Sequence, residues 1–99
     1  MTTLTIDIRL SKVENIEITD DELIVALQDG RTVSMPLAWY PRLLHGTAEE
    51  RQNWRLIGGG EGIHWERLDE DISVEHILAG IPSNESQKSL QRWLAGRRK

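Results

Sequence analysis

The residues with the most chemical promise crowd between Trp54 and Asp71. This stretch holds a glycine-rich run, Gly58-Gly59-Gly60-Glu61-Gly62, then His64 and Glu66, then the acid triplet Asp69-Glu70-Asp71. A glycine-rich loop cradles phosphate when a lysine follows it or when the loop opens a helix. Here no lysine follows, Ile63 takes the next position, and the downstream pattern reads as a strand. Glu61 also sets a negative charge where an anion would sit. The loop is therefore expected to be structural, with glycine supplying backbone conformations that other residues resist.

His64 and Glu66 share a face if they lie on a strand, which raises the question of a metal. Zinc sites take three or four ligands, and His45 and His76 stand at no spacing that completes such a set. The acid triplet lacks the alternating oxygen ligands of a calcium loop. Ser34, Ser73, Ser83, Ser86 and Ser89 fall in strand, cap or helix contexts, none in a Gly-x-Ser-x-Gly elbow. Carboxylates are plentiful, but nothing sets two of them across a cleft. The chain has no cysteine, which removes thiolate ligands, thiol nucleophiles and disulfides together. The expectation is a non-enzymatic protein with no cofactor and no metal.

The aromatic residues carry more information. There are four tryptophans, one tyrosine and no phenylalanine. Trp54 and Trp65 flank the glycine run and fit a cross-strand pair. Trp39 follows the central hairpin and Trp93 lies near the C-terminus; tryptophan is enriched at interaction hot spots. The residues expected to contact a partner are Trp39, Tyr40, Leu90, Trp93, Leu94, Arg97 and Arg98.

The elements that must position these residues follow from periodicity. Leu4, Ile6, Ile8 and Leu10 alternate with polar residues and predict a strand over residues 4–10. A second strand is expected over residues 13–18, then a turn at Asp20-Asp21. Residues 22–28 form the strongest strand, apolar on both faces and so central. Asp29-Gly30 predicts a hairpin with a type I′ turn, and residues 31–35 return until Pro36 removes a ladder donor. A short helix interrupted near Pro41 is expected over residues 37–44. Thr47 and Glu50 form a capping box for a helix ending around Asn53. Two short strands, 54–57 and 63–65, enclose the glycine loop, and 69–71 reads as a turn. Ser73 caps a helix that Gly80 stops. Ser83 caps a last helix over residues 84–95, whose stripe of Leu90, Trp93 and Leu94 must dock on something to be stable. The fold class is α+β: a small antiparallel sheet of short strands with a central Asp-Gly hairpin, packed by short helices, plus a C-terminal helix. Residues 1–82 are assigned to the domain and 83–99 to an amphipathic, basic C-terminal helix or tail.

Ninety-nine residues suffice for one domain with one modest core. The net charge of −4 is unevenly placed. Residues 1–80 carry 15 acids and 7 bases, whereas residues 81–99 carry one acid and five bases. An acidic body is a poor surface for nucleic acid, which needs clustered lysine and arginine. No apolar run is long enough to span a bilayer, and the N-terminus lacks the pattern of a secretory signal. A cytoplasmic location is expected, with no membrane partner.

The string Asp29-Gly30-Arg31, Pro36-Leu37, Trp39 and Pro41-Arg42-Leu43, set after the strand that begins at Leu23, resembles the core of the bacterial domain-of-unknown-function family 2442. Thr47 to Trp54, Ile63-His64-Trp65, Leu68 to Val74 and Leu78-Ala79-Gly80 continue the likeness, which covers roughly residues 12–80. Ser83 to Leu94 is similar to a tail found in one subgroup. The resemblance implies a small α+β domain that occurs alone or fused to a helix-turn-helix domain. It also implies an antitoxin-like role, pairing with a small neighbouring protein, and it carries over no catalytic residue. The resulting expectation is a protein-binding module that neutralises or regulates a small, toxin-like partner. The alternatives are a nucleic-acid-associated transcriptional regulator and a homo-oligomeric structural domain.

Overall fold

The structure, a computed structural model, describes residues 11–97. The strand expected over residues 4–10 and the candidate contact Arg98 lie outside the described residues. β1 (Val13–Ile18), β2 (Glu22–Leu27) and β3 (Thr32–Pro36) form an antiparallel sheet in that order. β2 is central, as its apolar faces require. Leu23, Val25 and Leu27 are buried on one side, and Ile24 and Ala26 are half-covered on the other.

The hairpin forms at Asp29-Gly30, but not with a type I′ turn. Of its two central residues only Gly30 has positive φ, at 97°. Gly30 N–H donates to the Leu27 carbonyl at 3.1 Å, and Leu27 N–H donates to the Arg31 carbonyl at 2.8 Å. This is a three-residue loop, a type I turn followed by a glycine bulge. The Asp29 carboxylate fastens the loop from outside. It accepts from Arg31 N–H at 3.0 Å, Arg31 Nε at 2.8 Å and the Ser11 hydroxyl at 3.0 Å.

After Pro36 the chain makes a 3-10 turn (Leu37–Trp39), then α1 (Pro41–Leu44) and α2 (Ala48–Gln52). The Thr47–Glu50 capping box forms in both directions, at 3.1 and 2.8 Å. A second antiparallel sheet follows, so the single expected sheet is two. It orders β4 (Trp54–Ile57), β5 (Gly62–Trp65) and β6 (Glu70–Ser73). Trp54 stands opposite Trp65 as expected.

β6 corrects the turn expected at 69–71. The chain reverses one step earlier, ending at Asp69 with φ of 51°, and Glu70 already pairs with Trp65. A strand with acids at two of its four positions looks like a loop in sequence. It pairs here because Ile72 faces the core and Asp71 faces His64 on β5.

α3 (Val74–Ala79) is capped by Ser73 and stopped by Gly80. α4 (Gln87–Arg97) starts three residues later than expected and is capped by Ser86, whose hydroxyl accepts from Ser89 N–H at 3.0 Å. Ser83 is occupied elsewhere: its N–H donates to the Trp39 carbonyl at 3.0 Å, which holds the preceding segment against the 3-10 turn.

One core joins the two sheets. Leu23, Val25 and Met35 from the first meet Ile63, Trp65 and Ile72 from the second, with Leu37, Leu43, Leu68 and Ile77 from the connections. Each such side chain contributes roughly 1.5–3 kcal/mol when fully buried. Trp65 is wholly buried, and its indole N–H donates to the Arg51 carbonyl at 3.0 Å, at the end of α2.

The sheets also meet through their backbones. Val13 N–H, at the start of β1, donates to the Gly60 carbonyl at 2.8 Å. A Cβ on Gly60 would stand 2.8 Å from the Val13 carbonyl oxygen and 3.1 Å from Lys12 Cβ, and its φ is 108°. The glycine run thus lets one sheet's loop touch the other sheet's edge strand. Gly60→Ala is expected to destabilise the fold by roughly 2–4 kcal/mol, from backbone strain together with the displaced hydrogen bond. Gly59→Ala, where a Cβ would meet only Lys12 Nζ at 3.8 Å, should cost about 1 kcal/mol. Urea unfolding of the two variants checks the order.

Candidate functional site

The expected contact residues occupy two neighbouring places. The first is the seat of α4. Leu90 is buried there, while Trp93 and Leu94 are half-buried. Two guanidinium groups stack on Trp93, with the Arg97 carbon 4.6 Å from the ring centroid and the Arg42 carbon 5.1 Å from it. Each arginine is also tied to a carboxylate. Arg42 Nη2 and Nε donate to Glu85 at 2.7 and 2.9 Å, and Arg97 Nη2 and Nη1 donate to Glu50 at 2.6 and 2.9 Å. In α4 the apolar stripe and Arg97 are therefore engaged within the chain. The helix that the sequence required to dock on something is docked here on its own domain.

Arg42, Glu50 and Glu85 were missed by the sequence reading. Glu50 was legible as a capping residue, but its Oε1 accepts from both Thr47 N–H and Arg97. The Arg42–Glu85 pair spans 43 positions, and no local pattern announces it.

The second place is a cavity of about 220 Å3 between β6, α3 and the segment that leads to α4. Tyr40, Glu70, Asp71, His76, Ser83 and Asn84 supply its polar lining. Trp39, half-buried, fixes its far wall by accepting Ser83 N–H. Tyr40 is 2% exposed, and its hydroxyl has no hydrogen-bond partner among the described residues. Burial, together with the nearby Glu70 charge, pushes this phenol's pKa up.

Glu70 is the least expected residue here. In the register of the second sheet it shares a row with Trp54 and Trp65, and Trp65 is wholly buried. Burial pushes its pKa up to about 7, against the Asp71 N–H and the Arg42 charge, which favour the anion. Glu85 and Asp71 add to the upward push. Arg42 does not neutralise it, because that guanidinium is committed to Glu85 and to the Leu68 and Asp69 carbonyls at 3.3 and 3.2 Å.

The opposite row of this sheet is Arg55, His64 and Asp71. His64 Nδ1 pairs with Asp71 Oδ1 at 2.5 Å, and its Nε2 is 3.4 Å from Glu66. His64 and Glu66 thus do come together. Among the described residues, no group of three or more histidines and acids is placed to hold a metal ion. No described helix is long and apolar enough to cross a membrane.

These charges make opposite contributions to stability across pH. Arg97 holds Glu50 down at about pKa 2, and Arg42 holds Glu85 below the ordinary carboxylate range. A depressed folded pKa gives stability that is present above the unfolded value and lost as pH falls through the folded one. α4 should therefore stay docked above about pH 5 and detach between roughly pH 4.5 and 2. Hydrogen exchange of α4 amides measured against those of β2 checks this. Glu70 has the reverse sign. Its raised pKa makes stability decline between about pH 4.5 and 7, and Glu70→Gln should flatten that decline and stabilise the fold at pH 8 by roughly 1–3 kcal/mol after allowance for solvent screening. Unfolding midpoints of both proteins at pH 5 and 8 give the measurement.

The sequence profile of a family described as "Protein of unknown function (DUF2442)" matches residues 13–83. No match was found among proteins of curated function. Two solved structures are similar. One is a protein of unknown function from Rhodospirillum rubrum, 25% identical, with a TM-score of 0.65 over 78% of this chain and 95% of that one. The other is an uncharacterized protein from Chromobacterium violaceum, 19% identical, with a TM-score of 0.63 over 87% of this chain and 75% of that one; it shares the fold. The matched residues end at the wall of the cavity and leave out α4, and they make up most of the domain: the chain belongs to the DUF2442 family.

Proposed function

We propose that this chain is a non-enzymatic, bacterial protein-binding module that neutralises or regulates a small partner in the antitoxin manner, with α4 as the recognition element. The observation that supports this reading is how α4 is held. An eleven-residue helix is marginal alone. Leu90 is its one buried side chain; the rest of its seat is two charge-assisted clamps and a tryptophan stacked by two guanidiniums. The two clamps separate without opening the core, and Trp93, half-buried against it, is the apolar contact that undocking gives up. The helix also lies beyond the residues that match the family. An amphipathic helix presents anchors to a groove at spacings of three and four residues, and Leu90, Trp93, Leu94 and Arg97 have those spacings.

A nucleic-acid role has less support. Glu50 neutralises Arg97, which leaves Lys88 and Arg92 as the exposed described bases of this helix.

Co-expression with the product of the adjacent gene tests the reading. A stable complex is expected, weakened at least tenfold by Trp93→Ala, as for an interface anchor. If α4 must leave its seat to bind, Glu50→Gln should strengthen the complex, because it removes the cost of undocking. Absence of any complex sinks the proposal, and a homo-oligomer by light scattering favours self-association instead.

A further inference from the structure

We propose that the cavity beside Tyr40 and Glu70 is a binding site for an alkylammonium group. The inference does not depend on α4 acting as a recognition helix. It begins with a buried hydroxyl that has no partner and a half-buried carboxylate that has no cation. Tyr40 is almost fully buried, and its hydroxyl has none among the described residues. The Glu70 carboxylate forms no ion pair among them. A buried hydroxyl without a partner costs about 1–3 kcal/mol, and an inward carboxylate in this row replaces a side chain that would pack. Both line the same cavity.

The chemistry around them selects the ligand. Of the acids around the cavity, Glu85 is clamped to Arg42 and Asp71 is paired with His64, which leaves Glu70 as the one without a cation among the described residues. The basic side chains nearby are already committed. Arg42 of α1 is clamped to Glu85, and His64 of β5 is paired with Asp71. His76 of α3 lines the rim and is exposed. What is missing is a compact donor of several N–H bonds with one positive charge. A primary ammonium supplies three donors: one for Glu70, with others available to the Ser83 and Asn84 side chains on the cavity wall. Ile72, Ile81 and Pro82 give the alkyl stem an apolar wall. The volume, about 220 Å3, lies below the roughly 300 Å3 at which drug-sized sites begin and suits a stem of a few carbons. Binding replaces the proton on Glu70 with the ligand's cation, which is why the elevated carboxyl pKa agrees with the geometry.

The test is a titration of the folded chain with n-butylammonium chloride, followed by amide and side-chain NMR. Saturable shifts at Tyr40, Glu70, His76 and Asn84 are expected. Affinity should rise on the order of 100-fold from pH 5 to pH 8 as Glu70 ionises, and then level off. Glu70→Gln should abolish binding. Equal shifts with n-butanol, affinity independent of pH, or wild-type affinity in Glu70→Gln would each overturn the proposal. The butanol and pH comparisons use the unaltered protein, so they hold even if a variant folds poorly. A blocked lysine, N-acetyl-lysine methylamide, separates the sources. Tighter binding of the blocked lysine identifies a polypeptide side chain, tighter binding of butylammonium identifies a free amine, and either supports the site. A failed co-expression with the neighbouring gene product would leave these results untouched.

Discussion

The hydrogen bond from Val13 N–H to the Gly60 carbonyl is the constraint around which the domain is arranged. Each sheet has three short strands, and an assembly of that size needs a hydrophobic face to hold together. The two faces become one core only if the sheets stand close at their edges. The seam provides that approach, because Gly60 offers a carbonyl with no side chain between it and β1. Glu61 continues the contact on the other side, where its carbonyl accepts from Val74 N–H at 2.9 Å and ties the same loop to the start of α3. The glycine run is therefore a junction among β1, the second sheet and α3, and its conformational freedom is spent on close backbone approach.

Outside this core the chain fastens itself with charge. It has no phenylalanine, and its C-terminal helix brings one buried leucine. Arginine supplies what apolar contact does not. The Arg42 guanidinium donates to both Glu85 oxygens and to two backbone carbonyls, and it covers one side of Trp93. Such charge-assisted, bidentate bonds are stronger than neutral ones. They also satisfy both partners, which offsets the cost of partial burial. Lysine at position 42 would keep the charge and lose the fork, so the seat of α4 depends on guanidinium geometry as much as on charge.

Much of this was legible in sequence where the determining contacts are local. The capping box at Thr47 and Glu50, the stop at Gly80, the central strand after Glu22 and the Trp54–Trp65 pairing each follow from residues a few positions apart or from a two-residue period. The misreadings share a physical origin. Asp29-Gly30 was assigned a turn that needs positive φ twice, whereas the carboxylate of Asp29 stabilises a turn that needs it once. Ser83 is as good a cap as Ser86 by residue type, but its hydroxyl accepts from Glu85 N–H and its own N–H is tied to the Trp39 carbonyl, so the helix starts after the next serine. β6 was hidden because its acids suggested a turn, although Glu70 and Ile72 sit two apart and so share a face. That spacing was the available signal that an acid faces inward. The Arg42–Glu85 and Arg97–Glu50 clamps, 43 and 47 positions apart, had none.

Glu70 is where local chemistry and the global fold disagree most. Its row holds Trp54 and Trp65, and a hydrophobic side chain there would bury area without meeting a desolvation cost. Positions that break the pattern without a compensating structural bond are where function is expected to reside. Arg42 is the one cation that lowers this carboxyl's pKa, and it has two acids within its field but one guanidinium. The structure gives the guanidinium to Glu85. That choice secures the start of α4 and leaves Glu70 facing a cavity with a proton, or another cation, as its partner. The helix seat and the cavity are therefore linked through a single side chain. Whatever releases Glu85 from Arg42 also changes the charge that Glu70 meets, so the state of the helix and the occupancy of the cavity bear on each other.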